Sequence, residues 1–134
     1  MAQVSRNPIH KDVHYQIRDD FVWILSALRS IDEAKSFYYD FFTKTERMMF
    51  AKRLAVAMML EKELTYQDIR SLLHVSTSTI SRVSGWLDRS GTGVKQALDK
   101  LIREERMTQF WEKVDRLLEE QVFQPYKHPV QSGR

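Results

Sequence analysis

The chain contains no cysteine, and glycine and proline are sparse, at 4 and 3 of its 134 residues. The first absence excludes a disulfide framework and a thiolate-ligated zinc site, and it suits a reducing compartment, so a cytoplasmic location is the expectation. The scarcity of glycine and proline leaves little punctuation and favours long helices. No apolar run approaches the ~18 residues of a membrane span. The opening MAQVSRNPIHKD is polar where a secretory signal would be apolar, so no membrane partner is expected. A Ser/His/Asp constellation, a phosphate-cradling glycine loop and an HExxH motif are also missing, and no catalytic class is indicated. What is present is ordinary for a globular protein, with 43% hydrophobic and 29% charged residues. The length suits one domain rather than two. With 21 Lys+Arg against 18 Asp+Glu the net charge is +3, which permits an anionic partner without requiring one.

Three stretches are expected: a flexible arm over 1–11, one helical domain over 12–123, and a flexible tail over 124–134. His10 and His14 have the spacing of a helical metal pair, but a solvated pair near a loose terminus is the plainer reading, and no metal or cofactor is assigned. From Asp12 onward Val13, Ile17, Phe21, Ile24, Leu28 and Ile31 recur at intervals of three and four, the pattern of a helix with one apolar stripe. Trp23 and Leu25 widen it, and Phe37, Tyr38, Phe41 and Phe42 extend the apolar supply. Such a surface suits a second copy of the chain, with packing inside one subunit as the alternative. Thr43 and Glu46 then form a capping-box pattern that starts a second helix. Met49, Phe50, Leu54, Ala57, Met58 and Leu60 are expected to give this helix a broad buried face up to about Lys62.

The segment 65–87 has the grammar of a helix-turn-helix. Thr65 and Asp68 open a short helix with Ile69, Leu72 and Leu73 on one side. Val75 is placed to plug the corner, and His74 stands where a left-handed backbone, usually a glycine, is needed. Ser76 caps the next helix, in which Ile80, Val83 and Leu87 share a face and Thr77, Ser78 and Ser81 keep the first turns small. Small hydroxyl residues let a helix enter the major groove but carry little sequence information. Recognition would therefore lean on water bridges, DNA shape and cations. The candidate DNA contacts are Gln67, Arg70, Ser76, Thr77, Ser78, Ser81 and Arg82. A helical pair that merely packs is the alternative. Asp88 to Gly93 reads as a turn, and Val94, Ala97, Leu98, Leu101 and Ile102 begin another helix. Phe110, Trp111, Val114, Leu117 and Leu118 prolong the pattern past a break near Arg103–Arg106, giving a C-terminal helix over 107–123. Packing on the dimer is favoured for it, over a docking site for another protein.

On these residues the chain resembles the tryptophan repressor superfamily over about Phe42 to Leu98. The resemblance rests on Phe42-Thr43-Lys44-Thr45-Glu46-Arg47, on Arg53, on Leu64-Thr65-Tyr66-Gln67-Asp68-Ile69, and most sharply on Val75-Ser76-Thr77-Ser78-Thr79-Ile80-Ser81-Arg82-Val83. It implies an all-α, multi-helix fold with a helix-turn-helix, formed as an intertwined homodimer that binds a palindromic operator; the parent repressor is a standard instance of that motif. The Val13–Ile31 stripe would be the dimer surface. The resemblance also implies a ligand pocket or its remnant at Thr43, Arg53, Thr79, Arg82, Val83 and Trp86. Val83 and Trp86 stand where the tryptophan-sensing members keep a Gly and a Ser, so an L-tryptophan corepressor is not expected, and Trp86 is expected near the vacated site, stacked on an arginine or packed as core. The function implied is sequence-specific transcriptional regulation, with a helical protein-interaction module and an amino-acid-responsive repressor as the alternatives.

Overall fold

A computed structural model describes residues 8–123, and those residues form seven helices and no other regular element. The segments 1–7 and 124–134, which hold most of the expected arm and the whole expected tail, lie outside the described residues. In order the helices are α1 (Lys11–Ala27), α2 (Ile31–Phe41), α3 (Lys44–Glu61), α4 (Tyr66–Leu73), α5 (Thr77–Arg89), α6 (Thr92–Arg103) and α7 (Met107–Phe123). None is long and apolar enough to cross a membrane. The chain divides into two units, 1–51 and 52–134, with α3 contributing residues to both.

In the first unit the apolar stripe is not one helix. The chain leaves α1 at Leu28, which is extended, and Ser30 restarts it by accepting a hydrogen bond from the Glu33 amide at 3.1 Å. Glu33 reaches back to the Arg29 amide at 3.0 Å. This reciprocal cap places Ile31 in the first turn of α2 rather than at the end of α1. His10 caps α1 through its ring, which accepts from the Asp12 amide at 3.3 Å. Neither α1 nor α2 has a buried residue. What gathers them is a ring cluster: Phe37 stacks on Phe41 at 5.1 Å, Phe21 approaches both, and Phe42 meets Phe50 edge-on at 5.0 Å. At the corner before α3, Thr43 and Glu46 exchange amide bonds of 2.9 and 3.2 Å. Arg47 donates to the carbonyl oxygens of Tyr39 and Phe42, and its own carbonyl accepts from the Tyr38 hydroxyl.

The second unit holds the core. Val56, Ala57, Met58 and Met59 are consecutive and all buried, so this part of α3 is enclosed around its circumference. The face expected further upstream is not buried: Phe50 and Leu54 keep 37% and 45% of their surface exposed. Ile69 from α4, Val75, Ile80, Val83 and Leu87 from the turn and α5, Leu98 from α6, and Met107 and Val114 from α7 complete the cluster. α4 packs against α5 and α7, and α6 against α7. The C-terminal helix is therefore part of its own chain's core.

Two residues other than glycine supply left-handed turns. Glu63 (φ 62°) ends α3 with paired bonds, its own amide to the Leu60 carbonyl at 2.9 Å and the Leu64 amide to the Met59 carbonyl at 3.0 Å. That is a Schellman motif with glutamate in the usual glycine place. His74 (φ 54°, ψ 44°) ends α4 with a single bond to the Arg70 carbonyl at 3.0 Å.

Candidate nucleic-acid interface

The geometry centres on α4 and α5. Thr65 caps α4 by accepting from the Asp68 amide at 3.2 Å, and Ser76 caps α5 by accepting from the Thr79 amide at 3.2 Å. Ser76 also links to the hydroxyls of Ser78 and Thr79 at 3.0 and 2.9 Å. This hydroxyl network fixes the first turn of α5 without any charged side chain. Between the caps, left-handed His74 reverses the chain and Val75, 8% exposed, enters the core. Ile69 and Ile80, both at 0% exposure, are the buried faces of α4 and α5.

Burying that side leaves the opposite side exposed. Gln67 and Arg70 on α4, Ser76 at the cap, and Thr77, Ser78, Ser81 and Arg82 on α5 are all exposed. Their chemistry is donors, two-way hydroxyls and two guanidinium groups. Such a set suits phosphate oxygens and base edges. No acid stands in the first turn of α5, so the positive end of that helix is not offset by a local carboxylate.

A cavity of about 250 Å³ adjoins α5, lined by Arg53, Arg82, Val83 and Trp86. Four of the six expected pocket residues thus share one space. Thr79 is half-buried and committed to the Ser76 network, while Thr43 belongs to the first unit and is committed to its capping box with Glu46. Two expectations about Trp86 are corrected. It is not core, since 37% of its surface is exposed, and among the described residues no cation lies over its ring. Val83 is 7% exposed and belongs to the hydrophobic cluster, and with Trp86 it also lines the cavity. The volume falls just below the ~300–1,000 Å³ typical of small-molecule sites.

Among the described residues no group of three or more His, Asp or Glu gathers as a metal site. The feature that sequence reading missed is the contact of α7 with α4, where the Ser71 hydroxyl lies 2.9 Å from Gln121 Oε1. Its only trace in the sequence is the continued spacing of Phe110, Val114 and Leu118, which shows an apolar face without showing what it meets.

Comparison with known proteins identifies the family to which this all-helical fold belongs. The Trp repressor protein family matches residues 17–102, and the chain belongs to that family. A solved structure described as a TrpR like protein from Eubacterium eligens ATCC 27750 is 30% identical, covers 72% of this chain and 99% of its own, and superposes with a TM-score of 0.63. No curated protein sequence matches the chain.

Proposed function

We propose that this protein is a sequence-specific DNA-binding transcriptional regulator, a repressor that reads a palindromic operator as a homodimer. In this reading α4, the turn at His74–Ser76 and α5 act as a helix-turn-helix, with α5 entering the major groove. The observation that carries it is the one-sided exposure of the pair: Gln67, Arg70, Ser76, Thr77, Ser78, Ser81 and Arg82 face outward while Ile69, Val75, Ile80, Val83 and Leu87 are buried. Arg70 and Arg82 supply the phosphate contacts, and the hydroxyls read the groove with low information content. Dimerisation through Val13, Ile17, Phe21, Ile24, Leu28 and Ile31 is supported by the apolar surface a single chain leaves open, with Val13, Ile17 and Ile31 exposed at 48%, 52% and 70%.

Selection from random duplexes, followed by titration of the enriched sequence across a salt series, tests the assignment. Wild type is expected to lose affinity steeply with salt. An Arg70→Ala, Arg82→Ala double variant should bind more weakly and with a shallower slope, by about 0.9 for each phosphate contact removed. Equal affinity of variant and wild type would refute the interface. The presence of Val83 and Trp86 in the cavity lining supports binding without a corepressor, so added L-tryptophan should leave the affinity unchanged. Tightening on its addition would transfer the reading to an amino-acid-responsive repressor.

A further inference from the structure

α4 has eight residues. Isolated helices below about 12–15 residues are marginal in water, so its order must come from what it packs on. One neighbour, α5, follows it across a three-residue turn. The other is α7, which lies beyond the residues 17–102 that match the family. On α7 the positions 107, 110, 111, 114, 118 and 121 fall at helical spacing on one face. Met107 and Val114 there are buried and Phe110, Trp111 and Leu118 are half-buried against the core. The same face ends in Gln121, whose Oε1 lies 2.9 Å from the Ser71 hydroxyl of α4, a hydroxyl that also lies 3.0 Å from the Asp68 carbonyl oxygen and shares its proton between the two. Ser71 follows Arg70 directly, so the bonded residue is next to a proposed DNA contact.

We propose that α7 is a brace that holds α4 in register for DNA, with Leu118 and Gln121 as positioning residues. The proposal rests on the DNA-reading assignment of α4 and α5. Its consequence is specific: loosening the brace reduces the fraction of molecules in which α4 is competent, and the apparent Kd rises by the inverse of that fraction. The number of phosphates met by the competent molecules does not change, so the salt slope stays the same.

The test uses the full chain with Leu118→Ala and, separately, Gln121→Ala. Each is titrated with the selected duplex across the salt series, and amide hydrogen exchange is followed without DNA. Leu118→Ala is expected to weaken binding about tenfold with parallel salt lines, as a tenfold loss of competent α4 requires. Exchange should quicken over Tyr66–Leu73 and stay unchanged over Val56–Met59. Gln121→Ala, a change at an exposed position, should move both readouts in the same direction by about threefold, the scale of one modest hydrogen bond. Wild-type affinity together with wild-type exchange of α4 in both variants overturns the brace. A flattened salt slope also overturns it, since α7 would then be contacting phosphate itself. If Leu118→Ala unfolds the chain, Gln121→Ala decides alone. If wild type binds no duplex, the DNA reading fails, and the exchange of α4 still accepts or rejects the brace.

Discussion

Replacing His74 by glycine should stabilise this protein. His74 sits at φ 54° and ψ 44°, and its side chain is exposed, so truncation removes no packing. A left-handed backbone costs an L-residue about 1–2 kcal/mol, and histidine lies toward the lower end because it tolerates this region better than most. Glycine removes that cost but gives the unfolded chain more freedom, worth about 0.5–1 kcal/mol against folding. The difference is a net gain of at most about 0.5 kcal/mol, or up to roughly 2 °C in Tm for a chain of this size. The amide bond to Arg70 needs no side chain and is retained. Thermal unfolding and urea midpoints of wild type, His74→Gly and His74→Val measure it, the valine serving as the opposite perturbation because a β-branched residue fits this region worst. A glycine variant that melts below wild type would refute the strain argument. It would mean that the His74 side chain contributes more than its exposure indicates.

Two further predictions concern the ends of the packing hierarchy. Hydrogen bonds from the backbone amide and side chain of Thr43 hold the Glu46 carboxyl below its ordinary value of 4.5. The stability this gives is full above the unfolded value and is lost as pH falls through the folded one. Glu46→Gln, which keeps the capping acceptor but does not titrate, should therefore gain on wild type in chemical unfolding below pH 4.5 and run parallel to it at higher pH; parallel curves throughout would contradict the assigned shift. Ile80→Ala, at a position with 0% exposure, should cost about 2–5 kcal/mol in urea unfolding, and a loss below about 1 kcal/mol would mean the core collapses around the cavity.

Features written in local chemistry were legible in the sequence. Thr43 with Glu46, Thr65 with Asp68, and Ser76 at the start of α5 are short-range caps in which residue type and spacing set the hydrogen bonds. His74 and Val75 were readable for the same reason, since a corner between two helices needs a reversed backbone and an apolar plug. Ser30 and Glu33 form an equally local cap, yet the apolar periodicity running from Val13 to Ile31 overrode it and hid the break between α1 and α2. Periodicity reports a face and is blind to a cap that interrupts the helix while preserving the phase. Glu63 was invisible for another reason: its left-handed turn depends on carbonyls at Met59 and Leu60 whose helix must first be ended by packing. The placement of Trp86 was hidden for a third. Val83 and Trp86 are larger than the residues they replace in the resemblance, but where added volume goes depends on rotamer and neighbours, and Val83 turned to the core while Trp86 stayed half outside.

One of these features, the turn at Glu63, leads directly into α4. This helix follows the left-handed turn at Glu63 that ends α3, and it ends at left-handed His74, a backbone state that an L-residue adopts at a cost. Its eight residues are too few to offset that cost by helix propagation, for nucleation consumes most of what so short a segment gains. Burial of Ile69, the half-buried Leu72 and Leu73, and the Ser71–Gln121 bond must supply the difference. The stability of α4 is thus a property of its neighbours. Of these, α5 is one neighbour shared with the proposed DNA contacts, whereas α7 has none of them. A contact surface assembled this way can be tuned at α7 without altering a residue that touches DNA, because the occupancy of the competent state and the chemistry of the contacts are set by different side chains.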